Sequence, residues 1–432
     1  MKKVAFCTLG CKVNQYESQA MGELFTAAGY TVVPYESEAD VYIINTCSVT
    51  SLADRKSRQM IRRAKKQNPD AYVVVTGCFA QTAPEKVSEI EGVNLVVGTS
   101  GRNKIVELVE QAENARIAVE DIMQAHEFEP LSVSGYSEHT RAFIKAQEGC
   151  SQFCSYCIIP YARGPVRSRP QVEIIEEANR LAAHGYEEIV LVGIHIASYG
   201  RDLKEDTSLQ TLITEIEKID GIRRIRLSSI EPMHLNEAFI ETVKNSKKLC
   251  RHFHISLQSG CDATLRRMNR KYTSADYARI AAGLRSAFED VAITTDVMVG
   301  FPGETEKEFN ASLEFVKDMQ FAEAHVFAYS VRGGTPAQKM PNQVAPEVKH
   351  TRSARMIEVS AQSQKAFLKR FVGRTLEVLF EQPVSGKDNI YEGKTDNYIT
   401  VLAETDTSVA NQFHMVEIQR VEGMQLYGRI VR

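Results

Sequence analysis

The chain has 432 residues, 43% of them hydrophobic and 25% charged, with a formal net charge of −3 and no Trp. That length calls for two or three domains, and the near-neutral charge excludes binding of nucleic acid through the overall field, so any such surface must be local. Nine cysteines, an odd number, argue against a complete disulfide framework and fit a reducing cytoplasm.

The basic start Met1-Lys-Lys leads into too short an apolar run for a signal peptide, since Lys12, Asn14 and Glu17 interrupt it, and no apolar stretch is long enough to span a bilayer. The expectation is a cytoplasmic protein with no membrane partner. In residues 3–113, short apolar runs at Val4–Leu9, Val41–Asn45, Tyr72–Thr76 and Leu95–Val97 alternate with helical segments near Gln15–Ala28 and Ser51–Gln67. Continuous apolar strands between helices indicate a doubly wound parallel sheet covered on both faces. Residues 114–139 show weaker periodicity and read as a connection.

Alternation resumes with Phe143–Gln147, Glu188–Gly193, Arg224–Leu227, His252–Ile255, Ala292–Met298 and Ala324–Phe327. Six strands with helices between them predict a partial (β/α)6 barrel of the TIM type. A Gly/Pro-rich stretch, Arg332–Pro346, precedes a helix ending near Phe371. Beyond it, Thr375–Phe380, Ile390–Gly393, Tyr398–Ala403, Phe413–Val421 and Gln425–Val431 read as a small antiparallel β-barrel. The fold class is therefore α/β in three parts.

Cys150, Cys154 and Cys157 stand in Cys-Ser-Gln-Phe-Cys-Ser-Tyr-Cys, spaced x3 then x2 on one loop. Three thiolates hold three corners of a cubane iron–sulfur cluster and leave the fourth iron open for a substrate or cofactor, where a structural site would be closed. A zinc knuckle is the plainer alternative, but its fourth ligand would have to come from as far away as His184 or His195. Cys11, Cys47 and Cys78 are scattered in sequence yet each follows the carboxyl end of a predicted parallel strand, the edge where doubly wound sheets bind ligands. They can form a second site or be ordinary buried thiols. Cys7, Cys250 and Cys261 read as core or incidental thiols.

The spacing of Cys150, Cys154 and Cys157 resembles that of the radical S-adenosylmethionine (SAM) enzymes. Thr8-Leu-Gly-Cys-Lys-Val-Asn-Gln-Tyr-Glu-Ser18, Asn45-Thr-Cys-Ser-Val-Thr50, Val75-Thr-Gly-Cys78 and Gly149–Gly164 together resemble the radical SAM methylthiotransferase family over essentially the whole chain. The Gly10-Cys-Lys-Val-Asn14 block resembles the branch acting on N6-threonylcarbamoyladenosine at position 37 of tRNA; the isopentenyladenosine branch tends to show Gly-Cys-Gln-Met-Asn. The resemblance implies a methylthiotransferase N-terminal domain at 1–114, a radical SAM core at 136–368 and a TRAM RNA-binding barrel at 369–432. It implies two 4Fe–4S clusters, one on Cys150, Cys154 and Cys157 that cleaves SAM, and an auxiliary one on Cys11, Cys47 and Cys78 whose open iron carries the sulfur. Two SAM molecules would be used per product, one to methylate that sulfur and one to generate the radical that abstracts hydrogen from C2 of the adenine, where the methylthio group then joins.

SAM should lie across the carboxyl ends of the barrel strands. Gly193, Glu231 and Gln258, on the loops after the second, third and fourth strands, are candidate contacts, and no catalytic side chain beyond the cysteines is assigned. The implied partners are tRNA, an electron-donor protein such as a flavodoxin or ferredoxin, and a sulfur donor. Arg55-Lys-Ser-Arg58, Arg62-Arg-Ala-Lys-Lys66 and Arg266-Arg-Met-Asn-Arg-Lys271 are candidate phosphate contacts, and Phe380, Tyr391, Tyr398 and Phe413 could stack bases or fill the barrel core. The alternatives are methylthiolation of isopentenyladenosine-37 or of a ribosomal-protein aspartate and, from another class, a non-catalytic iron–sulfur RNA-binding protein.

Overall fold

Apolar runs become the buried strands of a computed structural model that describes residues 2–48, 51–111, 116–135, 140–204, 207–387 and 389–431. The expected domain limits at 114 and 136, and Val49 and Thr50 of the second cysteine block, lie outside the described residues. β1 (Lys3–Thr8), β2 (Thr31–Val33), β3 (Val41–Thr46), β4 (Tyr72–Gly77), β5 (Leu95–Val97) and β6 (Ile117–Ala118) form one sheet in the order β2-β1-β3-β4-β5-β6. Every pairing in it is parallel. β3 is buried at all six positions, as expected of a central strand covered by helices on both faces. β2 and β6 were not expected: they lie at the sheet edges and are partly exposed, unlike the equally short β5, which is buried at every position and was read from its apolar run.

The strand order reverses between β1 and β3, and in such sheets the crevice at the carboxyl ends of those two strands is the ligand site. The helix Lys12–Ala27 follows β1, and Ser51–Gln67 follows β3, both matching the segments read from the sequence.

β7 (Ala142–Glu148), β9 (Glu188–Gly193) and β10 (Arg224–Leu227) pair in parallel, with the two-residue β8 (Arg167–Ser168) antiparallel at the edge of β7. β11 (His252–His254), β12 (Ala292–Val299) and β13 (Glu323–Ala328) form a second parallel group. Parallel bridges Ile225–Leu249 and Ile230–Ile255 join the two groups, giving the expected six-stranded partial barrel. Its helices have conventional starts: Thr273 with Asp276, and Thr305 with Glu308, form reciprocal capping boxes for Ser274–Ala287 and Glu306–Met319.

The C-terminal strands β14 (Thr375–Pro383), β15 (Ile390–Thr395), β16 (Thr400–Glu404), β17 (Phe413–Glu422) and β18 (Gln425–Val431) close into a barrel in the order β14-β15-β16-β18-β17. Four seams are antiparallel and the β16–β18 seam is parallel. An odd number of strands cannot alternate direction all the way round, so closure at five requires one parallel seam. Phe380, Val378, Val401, Val416 and Leu426 fill this small core.

Two arginines from β10 dock the small barrel onto the large one. Arg226 donates from Nε to Glu188 Oε1 at 2.7 Å and from its terminal nitrogens to the carbonyls of Asp396 (2.9 Å) and Thr395 (3.1 Å). Arg224 reaches the carbonyls of Lys394 and Glu377. Removing one partner of a buried ion pair leaves the other charge uncompensated. Arg226→Ala should therefore cost about 3–5 kcal/mol in urea unfolding, and an unchanged midpoint would show that the docking contact carries no weight.

Candidate functional site

The three scattered cysteines meet where the sheet places the carboxyl ends of β1, β3 and β4. Gly10, just before Cys11, has φ +110, and a Cβ there would lie 2.9 Å from Cys47 Cβ and 3.2 Å from its Sγ. Gly77, just before Cys78, has φ +92 and pairs with Thr46, just before Cys47; a Cβ on it would lie 2.4 Å from the Thr46 carbonyl oxygen. Only glycine permits these approaches. Cys78 is close enough to Cys11 to act on it electrostatically. Cys78 is buried, Cys47 half-buried and Cys11 open to solvent, so the group faces outward through Cys11.

Asn14 ties this corner together. Its Nδ2 donates to the carbonyls of Leu9 (2.8 Å) and Thr46 (3.0 Å), ahead of Cys11 and Cys47, and its Oδ1 accepts from the Cys11 thiol at 3.6 Å and from Arg163 at 2.6 Å. Arg163 is buried and also donates from Nε to Cys78 Sγ at 3.2 Å.

The second group lies on the loop after β7. Cys157 N donates to the Cys154 carbonyl (2.9 Å), and Ser155 N to the Met268 carbonyl (3.0 Å), which fixes the loop against the Arg266–Lys271 segment. Arg270 donates to Cys154 Sγ at 3.3 Å and pairs with Glu231 Oε2 at 2.5 Å. Of the 266–271 cations expected as phosphate contacts, Arg270 is buried and Arg267 is paired with Glu308 at 2.8 Å, leaving Arg266 and Lys271 exposed.

Both groups have the chemistry of soft-metal sites. All six thiols are free of disulfides. Burial pushes Cys150 and Cys157 up to about 12 and Cys11 to about 11, although Cys11 itself opens to solvent, so these thiols would ionise only against a strongly cationic centre. Among the described residues, no three His, Cys, Asp or Glu side chains converge as ligands of a single metal ion. A cubane differs, because each thiolate binds its own iron and the sulfurs stand apart around the cluster. Two separated cysteine trios, each with an arginine on a buried sulfur, supply the three thiolates that a cubane with one open iron takes.

Of the residues expected to touch SAM, Gly193 ends β9, where a Cβ would lie 3.0 Å from Gln147 Cβ. Glu231 is held by Arg270 beside Cys154. Gln258 adopts φ 64, its carbonyl accepts from Met298 N at 2.8 Å, and its side-chain amide makes no hydrogen bond among the described residues. Sequence reasoning missed Asn14, whose thiol partner Cys11 lies three residues before it, and Arg163 and Arg270, whose sulfur partners lie 85 and 116 residues away.

The helix after Cys47 keeps Arg55, Lys56, Arg58, Arg62, Arg63 and Lys66 exposed, a cationic face beside the Cys11 corner. Of the four barrel aromatics named from the sequence, Phe380 is core, Tyr391 packs partly buried against that core, Phe413 lies under Arg223 (4.0 Å) and Arg224 (4.6 Å), and Tyr398 stacks on His252 at 4.8 Å. Tyr398 also has Lys12, Arg141, Arg226 and Lys394 around its ring at 5.7, 5.4, 4.6 and 4.9 Å, joining all three parts of the chain.

Residues 3–98 match the "Uncharacterized protein family UPF0004" and residues 144–316 the "Radical SAM superfamily". The chain is 44% identical to the Bacillus subtilis "Threonylcarbamoyladenosine tRNA methylthiotransferase MtaB", covering 100% of this chain and 97% of that one. It is 36% identical to the Acetivibrio thermocellus "tRNA-2-methylthio-N(6)-dimethylallyladenosine synthase", covering 100% and 92%. The fold is similar to a solved radical SAM methyltransferase, TsrM from Kitasatospora setae, with a TM-score of 0.61 and 16% identity over 78% of this chain and 77% of that one. Among the described residues no helix is long and apolar enough to cross a membrane.

His195, just past β9, is buried; its Nδ1 meets Ser198 Oγ, while its Nε2 has no hydrogen-bond partner. Burial lowers its pKa from 6.5 to about 4. The unfolded chain thus binds a proton that the fold refuses, so stability falls as pH drops below about 6.5 and the full loss is reached below about 4. Replacing it by Asn should reduce the acid-side loss by up to about 3 kcal/mol, read from unfolding midpoints across that range; an unaltered pH slope would contradict the assignment.

Proposed function

We propose, from the premise that this chain belongs to the radical SAM tRNA methylthiotransferases, that its substrate is N6-threonylcarbamoyladenosine at position 37 of tRNA, converted to the 2-methylthio derivative. The observation that carries this reading is the 44% full-length identity to a threonylcarbamoyladenosine methylthiotransferase, against 36% to a dimethylallyladenosine enzyme. The second reading, isopentenyladenosine-37, is supported by that 36% relative, which also spans the whole chain. Membership of a transferase family leaves a non-catalytic iron–sulfur RNA-binding protein without support.

In this reading Cys150, Cys154 and Cys157 hold one 4Fe–4S cluster, and Cys11, Cys47 and Cys78 hold a second. When bound, the clusters and SAM supply one-electron cleavage and methylthio delivery, chemistry that no side chain performs. The protein's own part is to bind, orient and enclose. Arg270, buried against Cys154 and braced by Glu231, offsets thiolate charge at the loop after β7. Glu231 consequently acts on SAM indirectly, through Arg270, or with its second carboxylate oxygen. Gln258 offers a free amide at the mouth of the barrel, and Gly193 leaves its backbone open to a ligand.

The exposed cations of the helix Ser51–Gln67 meet tRNA phosphates beside the Cys11 corner. The barrel from 369 onward, the expected TRAM module, holds tRNA through its outer face, because its aromatic residues are engaged inward. The boundaries 1–114 and 136–368 delimit the other two domains. An external electron-donor protein and a sulfur donor complete the cycle in the cytoplasm.

Nucleoside mass spectrometry of bulk tRNA should show loss of 2-methylthio-N6-threonylcarbamoyladenosine, with its unthiolated precursor accumulating, in cells lacking this gene. Loss of the isopentenyl analogue instead would move the substrate to the second reading, and an unchanged profile would contradict both. Complementation with Cys78→Ala should fail although the purified variant still cleaves SAM. Separately, Gln258→Ala should weaken SAM binding in equilibrium titration while iron content is unchanged; undiminished affinity would remove Gln258 from the site.

A further inference from the structure

Arg163 uses its donors in a way that its ion pairs do not explain. It lies at the end of the helix Ile159–Arg163, six residues after Cys157, so it belongs to the loop of one cysteine trio. Its side chain crosses to the other trio. One terminal nitrogen donates to Glu17 Oε1 (2.6 Å) and Glu148 Oε1 (3.2 Å), and the other to Asn14 Oδ1 (2.6 Å) and Glu17 Oε2 (3.2 Å). The remaining donor, Nε–H, is directed at Cys78 Sγ, 3.2 Å away and buried.

Ion pairing does not account for that last contact. Arg163 with the cations Arg102 and Lys145, and the carboxylates Glu17, Glu148 and Glu129, make three positive and three negative groups that pair among themselves, with the buried Arg167 a further cation beside them. A neutral thiol is a weak acceptor, so a fully buried guanidinium N–H aimed at one is poorly satisfied. A sulfur carrying negative charge as an iron ligand is a strong acceptor, and hydrogen bonds to such sulfurs tune a cluster's reduction potential. The same guanidinium fixes Asn14, which receives the Cys11 thiol and holds the backbone ahead of Cys47.

We infer that Arg163, lent by the SAM-side loop, is a positioning residue of the Cys11–Cys47–Cys78 site that raises the reduction potential of a cluster bound there. The inference rests on the proposed second cluster. Its direction follows from electrostatics: reduction adds negative charge, and a buried positive donor on a ligand sulfur stabilises the reduced state.

The test uses the full chain with Cys150, Cys154 and Cys157 replaced by Ala, reconstituted with iron and sulfide, so that only the second site contributes to the spectrum. Failure of this parent protein to assemble any cluster would overturn the two-cluster reading itself. Given a cluster, Arg163→Lys, which keeps the charge but loses the Nε donor, should lower the midpoint in an EPR-monitored redox titration at unchanged iron content. Arg163→Met combined with Glu148→Gln removes one charge of each sign, leaves the net charge of the buried group unchanged, and should lower it further. In the complementary protein with Cys11, Cys47 and Cys78 replaced, Arg163→Lys should leave the remaining midpoint in place. A midpoint at the second site that stays at the parent value in both folded variants would reduce Arg163 to a structural ion-pair partner and overturn the inference.

Discussion

A closed group of buried charges holds the N-terminal sheet to the large barrel, and both cysteine sites depend on it. Glu17, on the helix after Cys11, lies within 2.5–2.8 Å of Arg102, Lys145 and Arg163, which come from three other segments. Burial alone would raise the Glu17 pKa, but Arg102, Arg163 and Lys145 together hold it well below the usual carboxylate range. Charges taken out of water are tolerated only when each is compensated, and losing any one strands its partners at a cost of about 3–5 kcal/mol. This requirement acts together with an apolar core in which Val13, Tyr16 and Ala20 pack among the barrel's buried residues to orient the two α/β parts.

The orientation has a chemical consequence. The parallel sheet presents Cys11, Cys47 and Cys78 at its reversal point, and the barrel presents Cys150, Cys154 and Cys157 on the loop after its first strand. Arg163 spans from the second loop to the first trio, so the environment of Cys78 is completed by the neighbouring domain. Tyr398, ringed by Lys12, Arg141, Arg226 and Lys394, does similar work where the small barrel meets the other two parts. Each such contact at an exposed site would contribute only about 0.5–1 kcal/mol, and more where water is excluded.

The carboxyl-edge placement of three cysteines, the six-strand barrel and the five-strand barrel were all legible, because apolar runs of four or more residues bounded by turns carry their periodicity locally. The short edge strands β2, β6 and β8 left no such trace, whereas the three-residue β5, buried at every position, was read from its Leu-Val-Val run. The basic segment 266–271 misled for a physical reason: Arg266, Arg267, Arg270 and Lys271 are alike in charge, yet one is turned into the core by the bend at Met268–Asn269, where Asn269 has φ 59. Linear charge counting cannot separate a solvated arginine from one that supports a sulfur.

The sequence by itself determined where the thiols stand, since thiols at x3–x2 spacing on one loop, and thiols each just past the end of a buried strand, are local facts of chain order. It also determined the strands, because burial on both faces demands uninterrupted apolar residues. Only the tertiary structure decided which charged groups became the neighbours of those thiols. Arg163 and Arg270 reach their sulfurs across separations of 85 and 116 residues, and a hydrogen bond between segments so far apart depends on how whole domains pack, which no local pattern encodes.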